Sequence, residues 1–140
     1  MLLPDPITSA GNAEVKRLRS LHERKYRRQT GWFLAEGTRT CIEAVELGWR
    51  LHRLAFLDGR GGDHMVRPLL AALDRDGGRA LPMTESLLSR ISGKDNPQMV
   101  LGAFEQRWQD PGRITPDAGR CWIALDRVRD PGNLGTIMRT

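Results

Sequence analysis

A chain of 140 residues holds one ordinary domain with a short remainder, and 39% hydrophobic against 28% charged residues marks that domain as globular. No run approaches the roughly 20 consecutive apolar residues of a membrane helix, and Met1-Leu2-Leu3-Pro4-Asp5 has no basic stretch ahead of an apolar one, so neither a membrane span nor a secretory leader is expected. The net charge of +5 and a pI near 10.0 favour a polyanionic partner, while Cys41 and Cys121 lack metal-ligand spacing and read as two free thiols of a cytoplasmic protein without metal.

Residues 12–29 predict one amphipathic helix, capped by Gly11-Asn12. Val15, Leu18, His22 and Tyr26 recur at helical spacing with Leu21 at the stripe's edge, and at about 100° per residue Lys16, Arg17, Arg24, Arg27 and Arg28 gather on the opposite face. Lys25 falls inside the apolar stripe and must snorkel or meet a partner. Trp32–Ala35 predicts a short strand. Thr38 caps a helix to Leu47, with Gly48 as its left-handed stop. Leu51–Leu57 is the next strand, residues 64–75 the next helix, Arg79–Met83 a strand and Thr84 the cap of a short helix that Ser92-Gly93 ends. Met99–Phe104, nearly continuous in apolar residues, reads as a buried strand.

This alternation of strands and helices predicts an α/β domain with a largely parallel sheet over residues 1–106. Residues 107–119 collect Pro111, Gly112, Pro116 and Gly119 and read as a linker. Cys121–Leu125 then predicts one more buried strand, followed by Asp126–Gly135 and the start of a helix. A lone buried-type strand cannot cover both of its faces, so residues 120–140 are expected to be the beginning of a larger unit.

A loop between a strand and a helix is where open α/β sheets bind ligands, and a helix N-terminus there offers unpaired N–H groups. Asp130-Pro131-Gly132-Asn133 is also ordinary turn chemistry, and turn rules alone leave the two readings balanced. A nucleotide-phosphate loop is disfavoured, because no lysine follows the glycines and no spaced G-x-G-x-x-G is present. The seven basic residues between 16 and 28 allow a solvated face as well as a nucleic-acid contact, partly neutralised by Glu14 toward Arg17 and Glu23 toward Arg27. Arg39, beside Glu36 and Gly37, allows an ion pair with Glu36 or an RNA contact. His22, His52 and His64 show no ligand spacing, and the four tryptophans read as core or edge packing.

Leu125-Asp126-Arg127-Val128-Arg129-Asp130-Pro131-Gly132-Asn133-Leu134-Gly135-Thr136-Ile137-Met138-Arg139-Thr140 closely resembles the first signature motif of the SpoU (TrmH-like) RNA 2′-O-ribose methyltransferases of the SPOUT superfamily. Upstream, Val15-Lys16-Arg17-Leu18-Arg19, Arg24-Lys25-Tyr26-Arg27 and Phe33-Leu34-Ala35-Glu36-Gly37-Thr38-Arg39 resemble that family's substrate-binding domain, as do Ile91-Ser92-Gly93 and Pro97-Gln98-Met99-Val100-Leu101. Ala13 stands where proline is frequent in the family, and Met99 where glycine is usual; neither touches the chemistry.

The resemblance implies an L30e-like RNA-binding domain over 1–106, a linker over 107–119, and over 120–140 the first strand, loop and helix start of a truncated trefoil-knot methyltransferase domain. It implies an enzyme that methylates a ribose 2′-hydroxyl of rRNA or tRNA from S-adenosylmethionine and works as a homodimer when full length. Because the second and third signature motifs have no counterpart here, the donor pocket is expected to be absent and the chain alone inactive. Asn133 and Arg139 would stand at the catalytic end; Lys16, Arg17, Arg24, Lys25, Arg27, Arg28 and Arg39 would contact RNA. The alternative is an L30e-like RNA-binding module with no enzymatic role.

Overall fold

The computed structural model describes residues 3–93, 98–115 and 123–139. In chain order the elements are α1 (Ala13–Ser20), α2 (Arg24–Thr30), β1 (Trp32–Glu36), α3 (Thr38–Glu46), β2 (Leu51–Leu57), α4 (Arg67–Arg75), β3 (Arg79–Met83), α5 (Glu85–Ser92), β4 (Val100–Glu105), a 3-10 turn (Pro111–Arg113) and α6 (Pro131–Arg139). Contacts divide the chain into two units, Met1–Arg107 and Trp108–Thr140.

The single helix expected over 12–29 is two helices. Asn12 caps α1 as expected, its Oδ1 accepting the Glu14 N–H at 2.8 Å. A continuous helix would then need the carbonyls of Leu21 and His22 for the amides one turn later. Instead both accept from Arg27 Nη1, at 2.9 and 2.6 Å, while His22 Nε2 bonds the Ile91 carbonyl at 2.6 Å. These tertiary bonds outweigh helical propagation, and the chain turns at 21–23. The common basic face drawn for an unbroken helix is lost with it.

The sheet has the order β1-β4-β2-β3. β2 and β3 are parallel, but β4 lies antiparallel between β1 and β2, pairing Phe33 with Phe104 on one side and Leu54 with Gly102 on the other. The expectation of a largely parallel sheet therefore fails, for an identifiable reason. Strands β1, β2 and β3 do run the same way, as β-α-β alternation requires. After β3, however, β4 enters at the end of β2 where β3 finished, with Val100 beside Phe56, so the chain is not carried back across the sheet.

Two hydrophobic cores cover the two faces. Val15 and Leu18 of α1 and Leu21 just after it, with Leu87, Leu88 and Ile91 of α5, pack on Ala55, Leu81 and Leu101. Cys41 of α3 with Leu69 and Leu73 of α4 pack on Leu54, Phe56, Ala80 and Phe104. The pleat sets this division: Val100, Gly102 and Phe104 face α3 and α4, while Leu101 and Ala103 face α1 and α5. Gly102 is required by close approach, since a Cβ there would stand 2.5 Å from the Phe104 ring and 3.1 Å from Cys41 Sγ.

Two further boundaries depart from expectation. Gly37, not Thr38, takes the cap position of α3, at φ 96° and ψ 143°, which glycine alone adopts without strain, and its N–H donates to the Val100 carbonyl at 2.9 Å. Helix α4 begins at Arg67 rather than near 64, because Asp63 Oδ1 accepts the Met65 N–H at 2.8 Å in a turn that precedes it, with Pro68 in the helix's first turn.

In the second unit, Asp110 and Asp130 each fold an Asx turn, accepting the N–H of Gly112 at 2.9 Å and of Gly132 at 2.7 Å. Of the strand expected at Cys121–Leu125, Cys121 and Trp122 lie outside the described residues. Ile123, Ala124 and Leu125 are exposed and not in a strand, since no described strand in this unit offers them a partner to bond. Trp108 is 82% exposed rather than packed; Trp32 and Trp49 are half-buried, and Trp122 lies outside the described residues.

Candidate nucleic-acid interface

Breaking the N-terminal helix redistributes its basic residues. Lys16 and Arg17 project from α1, and Arg24, Lys25 and Arg28 from α2, all exposed. Lys25, which the unbroken-helix reading put among apolar residues, reaches the surface with its Nζ 5.7 Å from the centre of the Tyr26 ring. Arg17 pairs with Glu14 at 3.4 Å, as the three-residue spacing suggested. Arg27 differs from its neighbours. It is half-buried, holds the turn through its two carbonyl bonds, and lines a cavity of about 310 Å³ with Leu21, His22, Phe33 and Leu34.

Arg39 sits in the first turn of α3, exposed, on a cavity of about 540 Å³ shared with Gly37, Thr40, Met65 and Gln98. It is at the end of the sheet where β1 finishes. Among the described residues no group of three or more His, Cys, Asp or Glu side chains is placed to hold a metal ion, and no helix is long and apolar enough to cross a membrane.

In the second unit, Asn133 and Arg139 both lie on α6 and both are exposed. Six positions apart, their Cα atoms sit about 120° apart around the helix and about 9 Å apart along it, so helical geometry alone does not bring them together. Arg139 compensates in part by folding back one turn: its guanidinium occupies the space over Gly135, 3.3 Å from where a Cβ would be. In the loop ahead of the helix, Arg127 holds φ at 54°, a left-handed conformation uncommon for a residue with a side chain. Every described residue from 123 to 139 except Gly135 is exposed.

Arg53 and Arg79, not among the cations expected from sequence, join Arg17 at the Glu14 carboxylate at 3.0 and 3.6 Å. No spacing rule points to them, because β2 and β3 bring them to α1 only through the fold.

The architecture is thus that of an α/β domain carrying exposed cations on its first two helices and at one strand end. Residues 12–102 match the MRM3-like substrate binding domain. An rRNA methyltransferase from Sinorhizobium meliloti, whose structure is also known with AdoMet bound, is 42% identical with a TM-score of 0.85, the match covering 96% of this chain and 49% of that one. A tRNA/rRNA methyltransferase of Synechocystis is 33% identical over 96% of this chain and 47% of its own length. The 23S rRNA (uridine(2479)-2′-O)-methyltransferase of Streptomyces viridochromogenes is 30% identical over 86% of this chain and 41% of its own. The chain therefore belongs to the MRM3-like substrate-binding domain family, and its homologues are RNA methyltransferases of the SpoU type. It spans about half the length of these relatives.

Proposed function

We propose that this chain is the RNA-binding part of an enzyme that methylates a ribose 2′-hydroxyl of ribosomal or transfer RNA, using S-adenosylmethionine. The observation that carries the reading is the set of exposed cations Lys16, Arg17, Arg24, Lys25 and Arg28 on two short helices of a substrate-binding domain. Guanidinium and ammonium groups displaced toward solvent neutralise phosphates and release counterions. Arg39 extends this contact at the far end of β1. Arg27 contributes through the turn it closes, more than through a free guanidinium.

In this reading residues 1–106 are the substrate-binding domain, 107–119 the linker and 120–140 the start of the catalytic domain, with the donor pocket outside this chain. When bound, the donor supplies an electrophilic methyl group. Arg139 acts as a cation: it grips a neighbouring phosphate and stabilises the negative charge that develops on the ribose 2′-oxygen during transfer. Asn133 orients the loop or the ribose. The full-length enzyme acts as a cytoplasmic homodimer, while this chain alone binds RNA without turning over.

The test is RNA binding followed by fluorescence anisotropy across a salt series. The chain should bind a folded RNA hairpin with a steep dependence on salt. Changing Arg24, Lys25 and Arg28 together to Ala should flatten the slope of log K against log salt by about 2–3, since each phosphate that is no longer neutralised removes about one. Binding that ignores salt overturns the RNA reading. Calorimetry with S-adenosylmethionine should show only heat of dilution; a micromolar dissociation constant places the donor site within these residues instead.

A further inference from the structure

We propose that Arg17 and Arg79, held by the largely covered carboxylate of Glu14, form a phosphate clamp for RNA at the end of the sheet where β2 and β3 begin; this rests on the RNA-binding reading above.

The clamp is built from an irregularity in β2. Across from the consecutive residues Ala103 and Phe104 of β4, β2 sets Arg53 and Leu51, leaving His52 as an extra, bulged residue. The bulge lets the adjacent His52 and Arg53 side chains both reach Trp32: His52 stacks on it with ring centres 4.4 Å apart, and the Arg53 guanidinium lies 5.1 Å from its ring centre. Arg53 also donates from Nη1 to the His52 carbonyl at 2.8 Å and from Nε to Glu14 Oε2 at 3.0 Å. With its side chain only 16% exposed, Arg53 is an anchor rather than a free cation.

Glu14 is fixed from the other side as well. It lies in the first turn of α1, its N–H bonded to the Asn12 cap, and its side chain is 12% exposed. One oxygen serves Arg53. The other, Oε1, receives Arg17 Nη1 at 3.4 Å and Arg79 Nη1 at 3.6 Å, and those side chains are 44% and 66% exposed. Three guanidinium groups thus share one carboxylate, leaving two positive charges uncompensated within the cluster. Both outer cations touch the same oxygen loosely, so their Nη1 atoms are held close enough to bridge one phosphate or two successive ones, with most of their N–H donors still facing water.

Glu14 and Arg53 are largely covered, their side chains 12% and 16% exposed, and the outer pair carries the surplus. The stacked and cation-covered Trp32 is engaged by the protein, so the cluster reads phosphates and no base.

Glu14 gives the proposal a test whose sign is decisive. Glu14→Gln makes the protein more positive, and if net charge alone drives binding it must tighten binding and steepen the salt slope. If Glu14 positions the clamp, the same substitution raises Kd despite the added charge. The full chain is titrated into a labelled RNA hairpin over a salt series, with thermal unfolding recorded for each variant. Arg17→Ala with Arg79→Ala, which leaves the Glu14–Arg53 pair intact, should weaken binding and flatten the log–log slope by about 1.4–1.8, two phosphates at about 0.7–0.9 each. The charge-matched pair Arg90→Ala with Arg113→Ala should change the slope less. Tighter binding by Glu14→Gln, an unchanged slope in the Arg17/Arg79 variant, or an equal loss in the charge-matched control each overturns the clamp. Failure of the unaltered chain to bind RNA at all overturns the RNA reading itself.

Discussion

The Arg27 guanidinium donates to the His22 carbonyl at 2.6 Å, across a turn that neither α1 nor α2 closes by itself. A residue expected on an RNA-facing surface is therefore first a structural staple. Arg27→Ala leaves two carbonyls without their charged donor and should destabilise the first unit by about 1–2 kcal/mol. Arg24→Ala and Arg28→Ala, both exposed, should stay within about 0.5 kcal/mol of the unaltered chain. Denaturant unfolding measures all three, and an Arg27→Ala midpoint equal to the other two would show that the turn is held by something else.

Cys41 lies on the inner face of α3 with no exposed surface, and burial pushes its thiol up to about 12 against a smaller opposing effect of the Gly102 backbone. At pH 8 only about one such thiol in ten thousand is ionised, and the thiolate is the reactive form. Iodoacetamide should leave the Cys41 peptide unmodified in the native protein and label it fully in denaturant, as read by peptide mass mapping. Rapid native labelling at Cys41 would mean that α3 opens frequently.

Asp76 follows α4, and its carboxylate accepts the Leu51 N–H at 2.9 Å. Burial acts to raise its pKa, but the Leu51 N–H and the Arg75 and Arg50 guanidinium groups together prevail and hold it below the ordinary 3.8. A carboxyl whose folded pKa is depressed contributes stability that is present above its unfolded value and is lost as pH falls through the folded one. Acid should therefore destabilise the native chain below about pH 4, and Asp76→Asn should be less stable at neutral pH while losing part of that acid dependence. Parallel pH profiles for the two proteins would remove Asp76 as a contributor.

Much of this was legible because it is local. The bounds of β2 and β3 follow from apolar runs between glycine punctuation, and the Asn12 cap from the side chain that suits it. What escaped depends on residues far apart in sequence. The helix breaks at 21–23 because of Ile91 and Arg27, although the apolar spacing runs through the break unchanged. β4 inserts between β1 and β2 by a choice of register that no window of sequence contains. Of the candidate interface, Lys25 read as lying inside the apolar stripe, while Lys16, Arg17, Arg24 and Arg28 were visible as cations of the opposite face and Arg39 as a residue beside a turn. Arg53 and Arg79 were not, because a bulge at His52 and the parallel pairing of β2 with β3 set their meeting with Glu14.

The division of the chain is open to a protease. Arg107 and Arg113 flank a stretch whose described residues 107–115 are all exposed, with a single 3-10 turn as regular structure. Exposed backbone with few fixed bonds is where cleavage starts. Limited trypsin should cut first at one of these two arginines and release a first unit that still unfolds cooperatively. Initial cleavage inside 13–105 instead would dissolve the two-part description.

The inserted strand also governs when the domain becomes a domain. Among the described strands β1 bonds only to β4, and β4 is the last of the four to leave the ribosome, so residue 32 waits for residue 105. Until then a nascent chain holds β2 and β3 as a two-strand ribbon with apolar residues on both faces, and β1 as an unpaired edge. Such long-range closure gives a high contact order and slow folding. A nascent chain whose β4 is still inside the ribosome would therefore present the exposed strand edges and apolar surface that chaperones recognise.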